Sequence, residues 1–259
     1  MIKSRFVFTL LLVIYSCTSY AQSVARHNLL NEFKRKIYIS LNDSLLYRIL
    51  YRVNYDKSKK YPLVLFLAGD GARGNDNDLQ LTAIPNSLIG DLERVKYPCF
   101  ILAPQCPKKQ VWVKFSKVEE SLQSTPEPTP PARLTLALMD QLIDKLPVNR
   151  QKIYITGYSG GGEGTLDFIM RRPEFFAAAV PICSVSDTSK AHLIAKIPIW
   201  AFHGENDNIN PVKYSRLLVE ALKLHGGSPK YTEYPDVGHN SWTKAYEEPG
   251  LMEWLFTQP

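Results

Sequence analysis

Apolar and polar residues alternate over positions 35–41 and again over 45–54, on either side of Asn42-Asp43. A period of two flanking a turn dipeptide predicts a β-hairpin, two antiparallel strands at a sheet edge. The pattern then changes. Continuous apolar runs follow at 63–68, 100–103, 153–156, 177–182, 197–202 and 231–234. Such runs suit strands buried on both faces, as in a parallel sheet.

Helical periods lie between the runs. Leu134, Leu138, Leu142 and Leu146 stand four apart within 132–146, with Met139 and Ile143 beside them. Residues 214–224 repeat the pattern through Leu217, Leu218, Ala221 and Leu222, and stop at Gly226-Gly227. A final stretch, 241–256, is interrupted by Pro249-Gly250. Strand and helix alternate, so the fold class is α/β with a mainly parallel sheet. Positions 106–131 fit neither period and carry Trp112, Phe115, Pro126, Pro128, Pro130 and Pro131. A loop of that length is either functional or a solvated excursion.

The N-terminus is of another kind. Lys3 and Arg5 precede a short apolar run, 6–15, and small residues at Ser19 and Ala21. A basic head, an apolar body and small residues at the cleavage site predict a signal peptide over 1–21, hence export to the periplasm or beyond. Ten or so apolar residues are too few to span ~30 Å of hydrocarbon. The alternative is a lipobox, Ile14-Tyr15-Ser16-Cys17, which would leave a lipid anchor at Cys17. What remains, 22–259, is enough for one sizeable core and suggests a single domain.

Charge and cysteines narrow the function. The net charge is +6, but the basic residues are scattered, without the dense basic and aromatic patch of a nucleic-acid binder. Cys99 and Cys106 flank an expected strand, and extended chain of that length holds them too far apart to pair. No Cys-x-x-Cys or His/Cys cluster suggests a metal.

The strongest chemical signal is Gly157-Tyr158-Ser159-Gly160-Gly161, between an expected strand and an expected helix. In that context G-x-S-x-G is a nucleophile elbow, presenting Ser159 Oγ at the sheet edge with the Gly160 N–H beside it. The base is expected from His239, in the loop Asp236-Val237-Gly238-His239-Asn240-Ser241-Trp242 after the last strand. His203 follows its strand directly and reads as structural. The acid is expected at Asp207, with Glu205 as a solvated neighbour and Asp187, after the preceding strand, as the runner-up.

Gly69, Gly71 and Gly74 spell G-x-G-x-x-G after the run 63–68. A dinucleotide turn needs a helix at the third glycine, and Asn75-Asp76-Asn77-Asp78 are poor helix formers. The loop is better placed to offer a second oxyanion N–H, from Asp70 or next from Gly71. Trp242 and Trp112 are candidate walls for substrate.

With these residues in hand the chain resembles the α/β-hydrolase superfamily. More narrowly, it is similar to secreted bacterial esterases related to dienelactone hydrolases, polyhydroxybutyrate depolymerases and feruloyl or acetyl esterases. The likeness rests on Leu102-Ala103-Pro104-Gln105-Cys106-Pro107, the elbow, Phe202-His203-Gly204 with Asp207, and Gly238-His239-Asn240-Ser241-Trp242. It implies Ser159, Asp207 and His239 as a triad, no cofactor, and a small ester or acylated carbohydrate as substrate. Two departures stand out: Ala68 where the family usually has histidine, and Gly162-Glu163 where an aromatic often follows the glycines. A serine peptidase of the prolyl oligopeptidase type and a non-catalytic surface binding protein are the competing expectations.

Overall fold

The first alternation forms the expected hairpin. Strands β1 (Lys34–Ser40) and β2 (Asp43–Leu50) pair antiparallel, from Lys34 opposite Ile49 to Ser40 opposite Asp43. The second strand ends at Leu50, where its pairing with the next strand of the sheet also ends. This computed structural model describes residues 24, 26–52, 55–118 and 121–259. The expected signal peptide, with Cys17, lies outside the described residues.

The continuous runs become β3 (Tyr61–Leu67) and β4 (Phe100–Pro104). A small separate hairpin follows, β5 (Phe115–Val118) with β6 (Ser121–Ser124). Then come β7 (Val148–Tyr158), β8 (Ala178–Ile182), β9 (Trp200–Gly204) and β10 (Lys230–Tyr234). Eight strands form one sheet in the order β1-β2-β4-β3-β7-β8-β9-β10. β1, β2 and β4 meet antiparallel and all other neighbours are parallel.

Both faces are covered, which is why the runs are apolar throughout. Leu63, Leu65 and Leu67 of β3 enter one core, with residues of the helices Pro130–Lys145, Gly160–Arg171 and Lys213–Leu224. Val64 and Phe66 enter the other, with Leu81, Ile84 and the C-terminal helices Trp242–Tyr246 and Leu251–Thr257. Each such buried Leu or Phe stabilises the fold by about 1.5–3 kcal/mol. Among the described residues, no helix is long and apolar enough to cross a membrane.

The long segment 106–131 is structured over its described residues. Besides the β5–β6 hairpin it ends in a helix cap, where the Thr129 hydroxyl accepts from the Ala132 N–H and donates to the Trp112 carbonyl. Pro130 and Pro131 form the first turn of the helix, where a missing N–H costs nothing. Arg171 donates to the Thr125 and Pro126 carbonyls, and Asp187 accepts from the Ser124 N–H, so the end of the hairpin is tied to the helix Gly160–Arg171 and to the loop after β8.

β3 leaves toward β4 on one side, and the chain returns to β7 on the other. The carboxyl ends of β3 and β7 therefore flank a topological switch point, where open α/β sheets place their ligands.

Candidate active site

β7 ends at Tyr158, and the helix Gly160–Arg171 begins two residues later. Ser159 makes the bend with φ 53° and ψ −128°, a strained backbone for a residue with a side chain. Its N–H donates to the Ile182 carbonyl at 2.9 Å, and its carbonyl accepts from the Glu163 N–H at 3.0 Å, which holds the strain. The flanking glycines are sterically required. A Cβ at Gly157 would overlap the Gly161 carbonyl, and one at Gly161 would overlap the carbonyl of Leu67 on the neighbouring strand.

Ser159 Oγ lies 2.9 Å from His239 Nε2, and His239 Nδ1 lies 2.8 Å from Asp207 Oδ2. The carboxylate can only accept from Nδ1, so Nδ1 carries the ring proton and Nε2 is free to take one from the serine. Asp207 Oδ1 accepts from the N–H groups of Ile209 and Asn210, both at 2.9 Å. The loop carrying His239 is seated on the end of β9: Asn206 N–H donates to the Val237 carbonyl, and Gly204 leaves room for the backbone of Val237 and Gly238.

Asp207, not Asp187, faces the base. Asp187 instead accepts from Ser124 and Ser189 and pairs with Lys190, which together hold its carboxyl below the usual range against the effect of burial. Glu205 is exposed, as are His27, His192 and His225. His203 is structural, as its position suggested, but it also touches Asp207 Oδ2 at 3.1 Å, which no sequence signal indicated.

The two expected oxyanion residues lie side by side. Asp70 begins a short 3₁₀ turn directly after Gly69, and a Cβ on Gly160 would overlap the Asp70 carboxylate. Arg73 donates from Nε to Asp70 Oδ1 at 2.9 Å and forms an ion pair with it. Gly160 is the first residue of its helix, where backbone N–H groups lack intrahelical partners and favour negative charge.

The expectation for Trp112 is corrected. Its side chain is buried in the core against Phe168 and is no substrate wall; its indole N–H donates to the Ala68 carbonyl at 3.1 Å. The segment folds back over the sheet because Trp112 buries a large apolar ring there. Trp242 lies beside the base. Half-buried, it meets the His239 ring edge-on at 5.6 Å and packs on Tyr158 at 4.7 Å. Trp242 also lines a cavity of about 300 Å³, with Arg26, Thr82, Asn86, Thr243, Tyr246 and Glu247.

Two further titratable groups border the triad. Burial pushes the Cys183 thiol up to about 12. Burial also pushes the Glu163 carboxyl up to about 7, with Arg73 and Asn210 opposing it. Ligand atoms of Cys183, Asp207 and His239 lie within 4.8 Å of one another. Of these, Asp207 and His239 are hydrogen-bonded to each other, and burial favours the protonated thiol.

Residues 103–248 match the model of the dienelactone hydrolase family. A thermostable esterase of known crystal structure is 38% identical with a TM-score of 0.81; the match covers 89% of this chain and 64% of that one. A ferulic acid esterase from Anaeromyces mucronatus, solved with ferulic acid, is 18% identical with a TM-score of 0.60, over 87% of this chain and 90% of that one. An acylaminoacyl peptidase from Pyrococcus horikoshii is 15% identical with a TM-score of 0.61, over 86% and 41%. The last two likenesses establish the α/β-hydrolase fold alone. A search of the curated proteins finds no match.

Proposed function

The chain belongs to the dienelactone hydrolase family, and on that premise we propose that it is a serine esterase cleaving carboxylic esters through an acyl-serine intermediate. The observation that carries this reading is the unbroken chain from Ser159 Oγ through His239 to Asp207. His239 takes the serine proton as Oγ attacks the ester carbonyl. Asp207 holds the imidazole tautomer and stabilises the imidazolium. The oxyanion is bound by the Gly160 N–H and by the Asp70 N–H. His239 then gives its proton to the leaving alcohol, and water repeats the sequence on the acyl-enzyme.

Trp242, which meets the His239 ring, also lines a cavity with Thr82, Asn86, Thr243, Arg26 and Glu247. An aromatic ring among such polar groups suits a hydroxyl-rich alcohol, which supports an acylated carbohydrate as substrate. The basic and apolar N-terminus supports export, which cell fractionation would test.

Hydrolysis of nitrophenyl acyl esters, set against aminoacyl amides and acetylated xylo-oligosaccharides, tests the reading. Ester turnover with covalent labelling of Ser159 by a fluorophosphonate is expected. Faster amide turnover would reassign the protein as a peptidase, and failure to label would favour a non-catalytic role.

A further inference from the structure

His203 is the last residue but one of β9, and no part of it is exposed. Its Nδ1 lies 2.7 Å from Ser215 Oγ, in the helix Lys213–Leu224. Its Nε2 lies 2.7 Å from the Asn210 carbonyl and 3.1 Å from Asp207 Oδ2. Both groups facing Nε2 are pure acceptors, so the proton must be on Nε2, and the Ser215 hydroxyl must donate to Nδ1. One N–H is thus shared between the backbone of the acid loop and the carboxylate that orients His239.

We propose that His203 is a positioning residue for the acid of the triad, with Ser215 setting its tautomer. The inference rests on the serine-hydrolase reading above. The single N–H does two things. It fixes the 207–210 loop, whose own N–H groups of Ile209 and Asn210 hold Asp207 Oδ1. It also leaves Oδ2 with two imidazole donors, His203 and His239, which disperses its charge. Burial lowers the affinity of His203 for a second proton, in keeping with a neutral donor.

Among the described residues, Asp207 and His239 approach it from the two loops. Cys183, just after β8, lies by Asp207 and His239. Glu233 of β10 is also within electrostatic reach, with its charge engaged by Arg216. Removing the His203 donor leaves Oδ2 facing His239 alone, so His239 binds its catalytic proton more tightly. The acidic limb of the activity profile then moves to higher pH.

His203→Phe, His203→Gln and Ser215→Ala would be compared by nitrophenyl acetate kinetics across pH 5–9, with thermal unfolding alongside. Glutamine retains an N–H near the Nε2 position and phenylalanine has none. His203→Phe is expected to lower kcat about 30-fold or more with KM changed less than about threefold, and to raise the acidic limb. His203→Gln is expected to restore kcat to within about fivefold, with the limb returned. Ser215→Ala keeps the ring but frees its tautomer, so a smaller shift in the same direction is expected, and it serves as the test should the phenylalanine variant fail to fold. Loss of kcat equal in the Gln and Phe variants, or an acidic limb unmoved in Phe or Ala, would overturn the proposal. Ester turnover and fluorophosphonate labelling of the unaltered protein test the hydrolase reading separately.

Discussion

The indole N–H of Trp112 donates to the carbonyl of Ala68 at 3.1 Å. That carbonyl leads directly into Gly69 and Asp70, so a buried ring from the long segment fixes the turn that carries the proposed oxyanion donor. Trp112→Phe would keep the packing and leave the carbonyl without its donor, at a cost of about 1–3 kcal/mol. A fall in kcat larger than any rise in KM is expected in nitrophenyl ester kinetics, with a Tm lower by a few degrees. Unchanged kcat would mean that the turn holds its shape unaided.

The two candidate acids have separate jobs. Asp207→Asn is expected to lower kcat by roughly 10³–10⁴-fold, because the amide offers Nδ1 the wrong partner. Asp187→Asn should leave kcat within about threefold, and should loosen the β5–β6 hairpin by weakening its ties to Ser124 and Lys190. Steady-state kinetics together with limited proteolysis of the hairpin would check both. A large kcat loss in the second variant would contradict the assignment.

Ser159→Ala removes the proposed nucleophile while the elbow keeps its shape. A kcat loss of at least about 10³-fold is expected, with loss of fluorophosphonate labelling and an unfolding midpoint at or above that of the parent. The midpoint matters because the strained φ of Ser159 persists in alanine.

Two glycines near the site should respond differently. Gly161→Ala forces a methyl into the backbone of Leu67 and is expected to cost at least about 3 kcal/mol or to prevent folding. Gly71→Ala meets open space and should change stability by less than about 1 kcal/mol. Denaturant unfolding of the two variants decides the matter.

Glu163 makes stability depend on pH. Its carboxyl titrates near 7 in the folded protein against an ordinary value of 4.5. Between those values the folded chain holds a proton that the unfolded chain has lost, so stability falls as pH rises through that window. Glu163→Gln has no such proton to lose. The variant is therefore expected to be more stable than the parent at pH 8, by about 1–3 kcal/mol, with the gap closing below pH 4.5. Urea midpoints at pH 4.5 and 8 would measure it, and a gap that widens toward acid would refute the sign.

The sequence by itself determined whatever depends on neighbours along the chain. Alternation against continuous apolar runs separated the edge hairpin from the strands buried on both faces, since side chains on a strand point to its faces in turn. Glycines around Ser159 marked a strand turning sharply into a helix, because the overlap they avoid is with backbone only a few residues away or on the adjoining strand. The order of Ser159, Asp207 and His239 was legible for the same reason: each follows a strand.

Only the tertiary structure decided which groups meet across the sheet edge. Asp187 and Asp207 both follow a strand and both carry a carboxylate; chain order ranked Asp207 first, but the 2.8 Å approach of His239 to it is a property of the folded loops. Trp112 reads equally as a pocket wall or as core until the 106–131 segment is seen folded over Phe168. His203 shows no local sign of touching Asp207, four residues later. Contacts of this kind depend on where loops close in space, and closure is set by packing against strands and helices far away in the chain.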